Sequence, residues 1–262
     1  MAQRIITITD IRCKSAPSQK KWMIDKNNYW ATWVIKKISY HPTWLFLKLG
    51  LSANQITVMS LIVGVIGCGL LAFGNYIGAI VGALLTNIWI LLDCIDGMVA
   101  RYNGTASDYG SFLETVVWAV FSALFFISVG LSAFNHPDPV LNSVTHRLFG
   151  LDINRSLFIF LGGWASVFYI SHEFIYSAYA RTFSDSSAIV AQFKQATTGS
   201  LLHKIELNLD NISGILMPTL LFAVVFQFLS LFILLWALIP TLAFIAVVVK
   251  TLSSARRVQS QV

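Results

Sequence analysis

The chain contains long apolar stretches with few charges, and this feature restricts its fold more than any other. Four of them have roughly the 20 residues that an α-helix needs to cross the hydrocarbon core of a bilayer; they cover residues 55–73, 77–100, 110–133 and 156–180. A fifth stretch, residues 211–250, is about twice as long as one span. We interpret it as a helical hairpin that turns near residues 227–230, with Pro240 kinking its second helix. The sequence therefore predicts an all-α, polytopic membrane protein with six transmembrane helices.

The composition supports this class and gives a topology. Of the 262 residues, 56% are hydrophobic and only 11% are charged, which is too apolar for a soluble domain. The net charge of +6 is explained by the segments between the spans and at the two ends of the chain. Sixteen of the eighteen Lys and Arg residues lie in segments that six spans would place on one side of the membrane. The positive-inside rule then predicts that both termini are cytoplasmic, and it removes the reason to expect nucleic-acid binding.

The segments outside the predicted spans are more polar and more basic than the spans. Residues 1–50 are predicted to be a cytoplasmic basic tail, without regular structure over 1–21, followed by an amphipathic helix in the membrane interface over 27–49. An ordinary aromatic belt before the first span is the alternative for this second part. The membrane domain covers 51–252, with a short surface helix predicted at 188–193 in its polar linker. Residues 253–262 form a cytoplasmic C-terminal tail.

Two acids interrupt the second apolar stretch. Inserting a carboxylate at the centre of a span costs about 2.5–3.5 kcal/mol of free energy on insertion scales. We therefore expect Asp93 and Asp96 to have a function. On a helix they share a face with Gly97 and Ala100, which are too small to block a ligand. Glu114 on the next helix can face the same space. Three such oxygen donors suit Mg²⁺ or Mn²⁺ together with phosphate oxygens.

The same stretch resembles the signature of the CDP-alcohol phosphotransferases, Asp-x2-Asp-Gly-x2-Ala-Arg-x8-Gly-x3-Asp-x3-Asp. Six positions match at the right spacing: Asp93, Asp96, Gly97, Ala100, Arg101 and Gly110. The last two positions depart from it, since Glu114 and Trp118 stand where the family has its third and fourth Asp. Upstream, Asn54 and Thr57 are similar to a Pro-Asn-x-hydrophobic-Thr pattern of the family, with Ala53 replacing the Pro.

The resemblance implies a divalent-metal-dependent enzyme of phospholipid or related glycolipid biosynthesis, and it suggests a homodimer. A CDP-alcohol would donate a substituted phosphate group to a lipid-phase or soluble acceptor, with release of CMP. Asp93, Asp96 and Glu114 would bind the metal. The substrate would be bound by the residues at the other motif positions and near them: Asn54, Thr57, Asp93, Gly97, Ala100, Arg101, Gly110, Trp118 and Arg181. For Arg101, an arginine that reaches the membrane surface is the alternative.

Trp118 occupies the position of the family's general base and cannot take a proton. His172 and Glu173 on the fourth span are candidates to replace that base, although a structural His–Glu contact explains them equally well. An acceptor that is already anionic would need no base. Two further interpretations stay open: an inactive relative that binds nucleotide or lipid or supports a partner, and an ion or proton transporter that uses intramembrane acids.

Overall fold

The computed structural model describes residues 6–16, 29–136, 138–139, 141, 143, 146–147, 153–182 and 211–259. The helices in this part of the chain are α1 (Ile8–Lys14), α2 (Lys36–Lys48), α3 (Ala53–Phe73), α4 (Tyr76–Asn103), α5 (Asp108–Asn135), α6 (Ser156–Thr182), α7 (Met217–Val225) and α8 (Leu229–Gln259). Two π-helical turns, Ala31–Ile35 and Ile212–Leu216, lead directly into α2 and α7. The predicted all-α class is confirmed for these residues; the predicted surface helix at 188–193 lies outside them.

Five of these helices, α3, α4, α5, α6 and α8, are long and apolar enough to cross a membrane. The first four match the predicted spans to within three residues at either end. The long stretch 211–250 does contain a turn at 226–228 between two helices, but its first arm is the shorter apolar segment Ile212–Val225. That arm is broken at Gly214, whose φ and ψ of −82° and −132° are not helical. The protein therefore has the helices of a multi-pass membrane protein.

The caps of the long helices are formed by residues next to them in the sequence. Ser52 and Gln55 form a capping box at the start of α3, with the Ser52 amide donating to Oε1 of Gln55 at 2.9 Å. Gly104 ends α4 in the left-handed region at φ +67°, which an L residue adopts only at a cost. Ser107 then caps α5 by accepting a hydrogen bond from the Gly110 amide at 3.2 Å. This tight connection keeps the end of α4 beside the start of α5.

Glycines bring neighbouring helices into backbone contact. A Cβ on Gly82 of α4 would lie 2.7 Å from the carbonyl oxygen of Gly67 on α3. A Cβ on Gly130 of α5 would lie 3.0 Å from Cα of Gly162 on α6. Close packing through small residues is a main source of helix association inside a bilayer. These two crossings therefore join α3 to α4 and α5 to α6.

Aromatic side chains fill the space between the four helices. The rings of Trp89 on α4 and Phe121 on α5 stack with their centroids 3.6 Å apart. Gly64 on α3 makes room for this stack, since a Cβ there would lie 2.8 Å from the Phe121 ring. Phe125 and Phe126 continue the buried layer along α5. This core therefore fills the middle of the bundle, away from the connection between α4 and α5.

The N-terminal segment differs from the prediction. Residues 8–14 of the tail expected to lack regular structure form helix α1, which begins with a capping box between Thr7 and Asp10. The signal was present in the sequence as a Thr-x-x-Asp pattern. Beside it, α2 packs on α4 with a polar face: the hydroxyls of Ser39 and Thr43 lie 3.3 and 3.5 Å from Sδ of Met98. Trp33, Ile38 and Leu45 remain exposed.

Candidate functional site

A cavity of about 330 Å³ opens where the start of α3, the end of α4 and the start of α5 meet. This volume lies at the lower end of the range of about 300–1,000 Å³ typical of small-molecule sites. Its lining includes these residues predicted from the sequence: Asn54, Thr57, Asp93, Asp96, Gly97, Ala100, Arg101, Gly110 and Glu114. Side chains of three separate helices, predicted from helical spacing and from the family resemblance, are therefore brought together around one space.

Asp96 is the most constrained acid in the cavity. It is 5% exposed, and Oγ1 of Thr57 donates a hydrogen bond to its Oδ2 at 2.6 Å. This is the short distance expected for a hydroxyl that donates to an ionised carboxylate. Thr57 Oγ1 also lies 3.0 Å from the carbonyl oxygen of Ala53. A hydroxyl has one proton, so these two acceptors compete for it. Thr57 thus ties α3 to the acidic face of α4.

Asp93 and Glu114 both line the cavity, but they differ in solvent exposure. Asp93 lies on α4, one turn before Gly97, and is partly buried. Glu114 projects from α5 and is exposed. Of the three carboxylates in the lining, Glu114 therefore has the most room to move toward the other two.

Small residues shape the walls. A Cβ on Gly97 would lie 3.0 Å from Nη1 of Arg101, so the guanidinium lies directly against the glycine. A Cβ on Gly110 would lie 3.3 Å from Oδ1 of Asn54, which places the Asn54 amide at the junction of α3 and α5. Both glycines are motif positions. In this structure they allow a polar side chain of the cavity to lie close to a helix backbone.

Two parts of the lining were not assigned to the site from the sequence. Lys36 borders the cavity from the first turn of α2, and Ser213 borders it from the π-helical turn before α7. No sequence signal assigned Lys36 to the site, because Thr32, its neighbour four residues earlier, lines the cavity only in the structure. Nothing in the sequence around Ser213 indicates its role either, because a loop, α6 and a long polar linker separate it from α5. With Lys36 and Arg101, two cations border a space that three carboxylates also reach.

The other predicted site residues lie elsewhere. Trp118 packs on Tyr169 of α6 with ring centroids 5.6 Å apart, beside the apolar core, and is not part of the cavity lining. His172 and Glu173 of α6 also lie outside that lining; Nδ1 of His172 and Oε1 of Glu173 are 3.7 Å apart. The Arg181 side chain lies outside the described part of the chain. The assignments of these four residues stay predictions.

Whether the cavity can bind a metal ion depends on the ligand atoms that its side chains offer. Among the described residues, no three His, Cys, Asp or Glu side chains stand close enough together to hold one. The carboxylate oxygens of Asp93, Asp96 and Glu114 nevertheless fit a hard cation, and the sulfur atoms of Cys94 and Met98 also border the cavity. Binding would require Glu114 to turn toward Asp93 and Asp96.

The transporter interpretation is not favoured by this arrangement. Ionisable groups of a transport path occur along the depth of a membrane domain, whereas the three acids here line one cavity at the end of the bundle where α4 passes into α5.

In comparison with known proteins, the chain matches no protein-family model and no curated protein.

Proposed function

We propose that the protein is an integral-membrane transferase that moves a substituted phosphate group from a CDP-alcohol to an acceptor and releases CMP. The observation that supports this most directly is the convergence of the motif residues of α4 and α5 with Asn54 and Thr57 on one cavity. The chemistry belongs to phospholipid or related glycolipid biosynthesis, as the resemblance to CDP-alcohol phosphotransferases implies.

In this proposal the acids serve the diphosphate of the donor. Asp93, Asp96 and Glu114 would hold Mg²⁺ or Mn²⁺, which supplies neutralisation of the diphosphate and of the leaving phosphate. Thr57 fixes the orientation of the Asp96 carboxylate through its 2.6 Å hydrogen bond. An oriented ligand binds more tightly because it loses less freedom on binding.

The remaining lining residues would bind the nucleotide. Ala100 leaves the wall of α4 low enough for the CDP moiety to lie against it, and Gly97 makes room for the Arg101 guanidinium. Arg101, whose guanidinium lies on Gly97, is placed to donate to a phosphate oxygen with its planar fork. Asn54 at the α3–α5 junction can offer both a donor and an acceptor to the substrate.

For the acceptor we propose a molecule whose attacking oxygen is already anionic, such as a phosphate or carboxylate oxygen. Trp118 stands at the position where the family has its base, and its side chain packs on Tyr169 beside the core. Lys36 adds a positive charge to the cavity wall. An anionic acceptor needs no proton removed and would be repelled by an additional carboxylate at position 118.

The acceptor class can be tested with the parent protein and the Trp118→Asp variant, each assayed with acceptors that attack through a hydroxyl, such as glycerol phosphate or inositol, and with acceptors that attack through a phosphate oxygen. We expect the parent to use only the second class. Full activity of the parent with the hydroxyl acceptors would contradict the anionic-acceptor proposal and would direct attention to His172 and Glu173, each then changed separately with turnover and thermal stability measured.

An inactive relative that binds nucleotide is the second candidate. The packing of Trp118 beside the core favours it, because a side chain that fills apolar space does no chemistry. Binding of a CDP-alcohol without any CMP release, over a full set of membrane-derived acceptors, would establish this alternative.

The test of the transferase is direct. Purified protein is incubated with labelled CDP-diacylglycerol, Mg²⁺ or Mn²⁺ and a membrane extract, and free CMP is measured. We expect metal-dependent CMP release that disappears in the Asp93→Asn variant. Two results would contradict the proposed site. One is CMP release at an unchanged rate when a chelator replaces the added metal, and the other is CMP release at the full rate by the Asp93→Asn variant.

We also propose that Ile212–Val225 enters the membrane as a sixth, short inserted helix, and that both termini are cytoplasmic. The charge distribution along the loops supports this topology. Residues 27–49 would then lie in the cytoplasmic interface, with exposed Trp33, Ile38 and Leu45 toward lipid. Reporter fusions after residues 136 and 262 should label opposite sides; labelling of the same side would contradict it.

A further inference from the structure

Residues 6–16, which we call the N-terminal clamp, are attached to the body of the protein although they were expected to be a loose tail. The clamp contains α1, which is held at its start by the reciprocal bonds of Thr7 and Asp10. Ile11 is 0% exposed and Ser15 is 3% exposed, so one face of this short helix is buried against the protein. Thr9, Arg12 and Cys13 on the other face are exposed.

Several different contacts fasten the clamp beside the cavity. The indole Nε1 of Trp44 on α2 donates to the carbonyl oxygen of Ile6 at 2.9 Å. Two cations of α1 lie over aromatic rings, each 5.0 Å from the ring centroid: Arg12 over Tyr40 of α2, and Lys14 over Tyr102 of α4. The clamp thus bridges α2 and the last turn of α4, the turn that also carries Arg101.

The clamp ends on Arg101 itself. Nε of Arg101 donates to the carbonyl oxygen of Ser15 at 2.8 Å. The Nη1 and Nη2 groups lie against Gly97, 3.0 and 3.5 Å from where its Cβ would be. Because the guanidinium is planar and its N–H directions are fixed relative to one another, a bond at Nε sets the directions of the other donors. Ser15 therefore controls how Arg101 meets the cavity.

We propose that the N-terminal clamp is a positioning element of the phosphate site. By occupying Nε of Arg101, it holds the Nη groups against the Gly97 wall, ready for a phosphate oxygen of the bound diphosphate. This inference rests on the proposed function, because it takes the cavity ligand to be a CDP-alcohol. It adds that residues far outside the motif, on a helix that is not a span, determine the affinity for that ligand. A side chain oriented in advance loses less freedom on binding.

The experiment displaces the clamp without touching the cavity. Ile11→Asp places a charge in the buried face of α1, and Cys13→Asp places the same charge on its exposed face as the matched control. Ser15→Ala is a second control, since the contact uses only the backbone carbonyl. Each variant is made in the parent and in an Arg101→Lys background. The dissociation constant of a soluble CDP-alcohol in Mg²⁺ and the thermal unfolding midpoint are measured in detergent.

We expect Ile11→Asp to weaken binding about tenfold in the parent, the scale of one charge-assisted hydrogen bond, and to change the midpoint little. In the Arg101→Lys background, where the guanidinium fork is absent, Ile11→Asp should weaken binding less than about twofold. Neither control should alter the affinity. This non-additivity identifies an effect that passes through Arg101, which a general loss of structure would not reproduce.

Three results would overturn the clamp: unchanged affinity in Ile11→Asp, an equal loss in both backgrounds, or an equal loss with Cys13→Asp. If Ile11→Asp does not fold, deletion of residues 1–16 replaces it, and failure of both to fold would show a role in stability instead. Absence of CDP-alcohol binding by the parent would instead refute the proposed function, so the two failures are distinguishable.

Discussion

The hydrogen bond between Thr57 and Asp96 allows the sharpest quantitative prediction. Thr57→Val removes the hydroxyl and keeps the branched shape, so it leaves a buried carboxylate without the donor that lies 2.6 Å away. Thr57→Ser is the matched control, because it keeps the hydroxyl and loses only a methyl group. Both changes lie at the start of α3 and add no bulk to the cavity.

The magnitude follows from the type of bond. Side-chain hydrogen bonds between membrane helices average about 0.6 kcal/mol and reach about 1.7 kcal/mol. Bonds to charged groups contribute about 1.5–3 kcal/mol in soluble proteins. The short distance and the 5% exposure of Asp96 put this bond at the charge-assisted end of both ranges. We therefore expect Thr57→Val to lower the free energy of unfolding by about 1.5–2 kcal/mol.

The assay is reversible unfolding in mixed micelles with an increasing fraction of sodium dodecyl sulfate. Parent, Thr57→Val, Asp96→Ala and the double variant form a cycle that isolates the coupling between the two side chains, because alanine removes the acceptor that asparagine would keep. We expect a coupling of about 1 kcal/mol or more, and a smaller loss for Thr57→Ser. A coupling indistinguishable from zero would refute the reasoning, since it would mean that the bond between α3 and α4 contributes nothing to the fold or to the site.

The other predictions concern glycines and the metal. Gly97→Ala should weaken CDP-alcohol binding by about 1–2 kcal/mol, because its Cβ displaces Nη1 of Arg101 from 3.0 Å, with little effect on unfolding; unchanged calorimetric affinity would contradict this. Gly130→Ala should destabilise the fold by about 1–3 kcal/mol or more, since its Cβ would lie 2.5 Å from a backbone oxygen of α6. Gly163→Ala is the matched control and should not destabilise the fold, because a Cβ on Gly163 would meet nothing within 4 Å. Equal unfolding curves for Gly130→Ala and Gly163→Ala would contradict the close contact between α5 and α6. Chelation of divalent ions should abolish nucleotide binding, and added Mg²⁺ should restore it.

Hydropathy was sufficient to predict most of the long helices. A span needs about 20 apolar residues, and four such stretches are separated by clear polar breaks, so α3–α6 end within three residues of their predicted bounds. The stretch 211–250 is apolar throughout, and hydropathy cannot show that Gly214 interrupts its first arm. That break depends on backbone conformation, which composition does not encode.

The cavity could be predicted because helical spacing decides which side chains share a face. Asp93, Asp96 and Gly97 line it together for this reason. The same argument groups Trp118 with Glu114, four residues earlier, yet Trp118 packs on Tyr169. A large aromatic side chain follows the apolar surface available to it, which is set by α6 and not by the spacing along α5.

Contacts between distant segments were not predictable. The bond from Arg101 to the Ser15 carbonyl joins positions 86 residues apart and uses a backbone atom, so no side-chain pattern indicates it. Lys36 and Ser213 reach the cavity from elements whose own sequences suggest only a membrane interface and the first arm of an apolar hairpin. Such contributions depend on how the elements pack, and they required the structure.

The central claim is that Asp93 and Asp96 form the metal-dependent nucleotide site, and calorimetry on three proteins tests it most directly. The parent, Asp93→Asn and the control Asp108→Asn, whose exposed acid lies in the first turn of α5 outside the cavity lining, are titrated with a CDP-alcohol with and without Mg²⁺ or Mn²⁺. We predict metal-dependent binding to the parent and to Asp108→Asn, and none to a folded Asp93→Asn. Undiminished metal-dependent binding by Asp93→Asn would contradict the account.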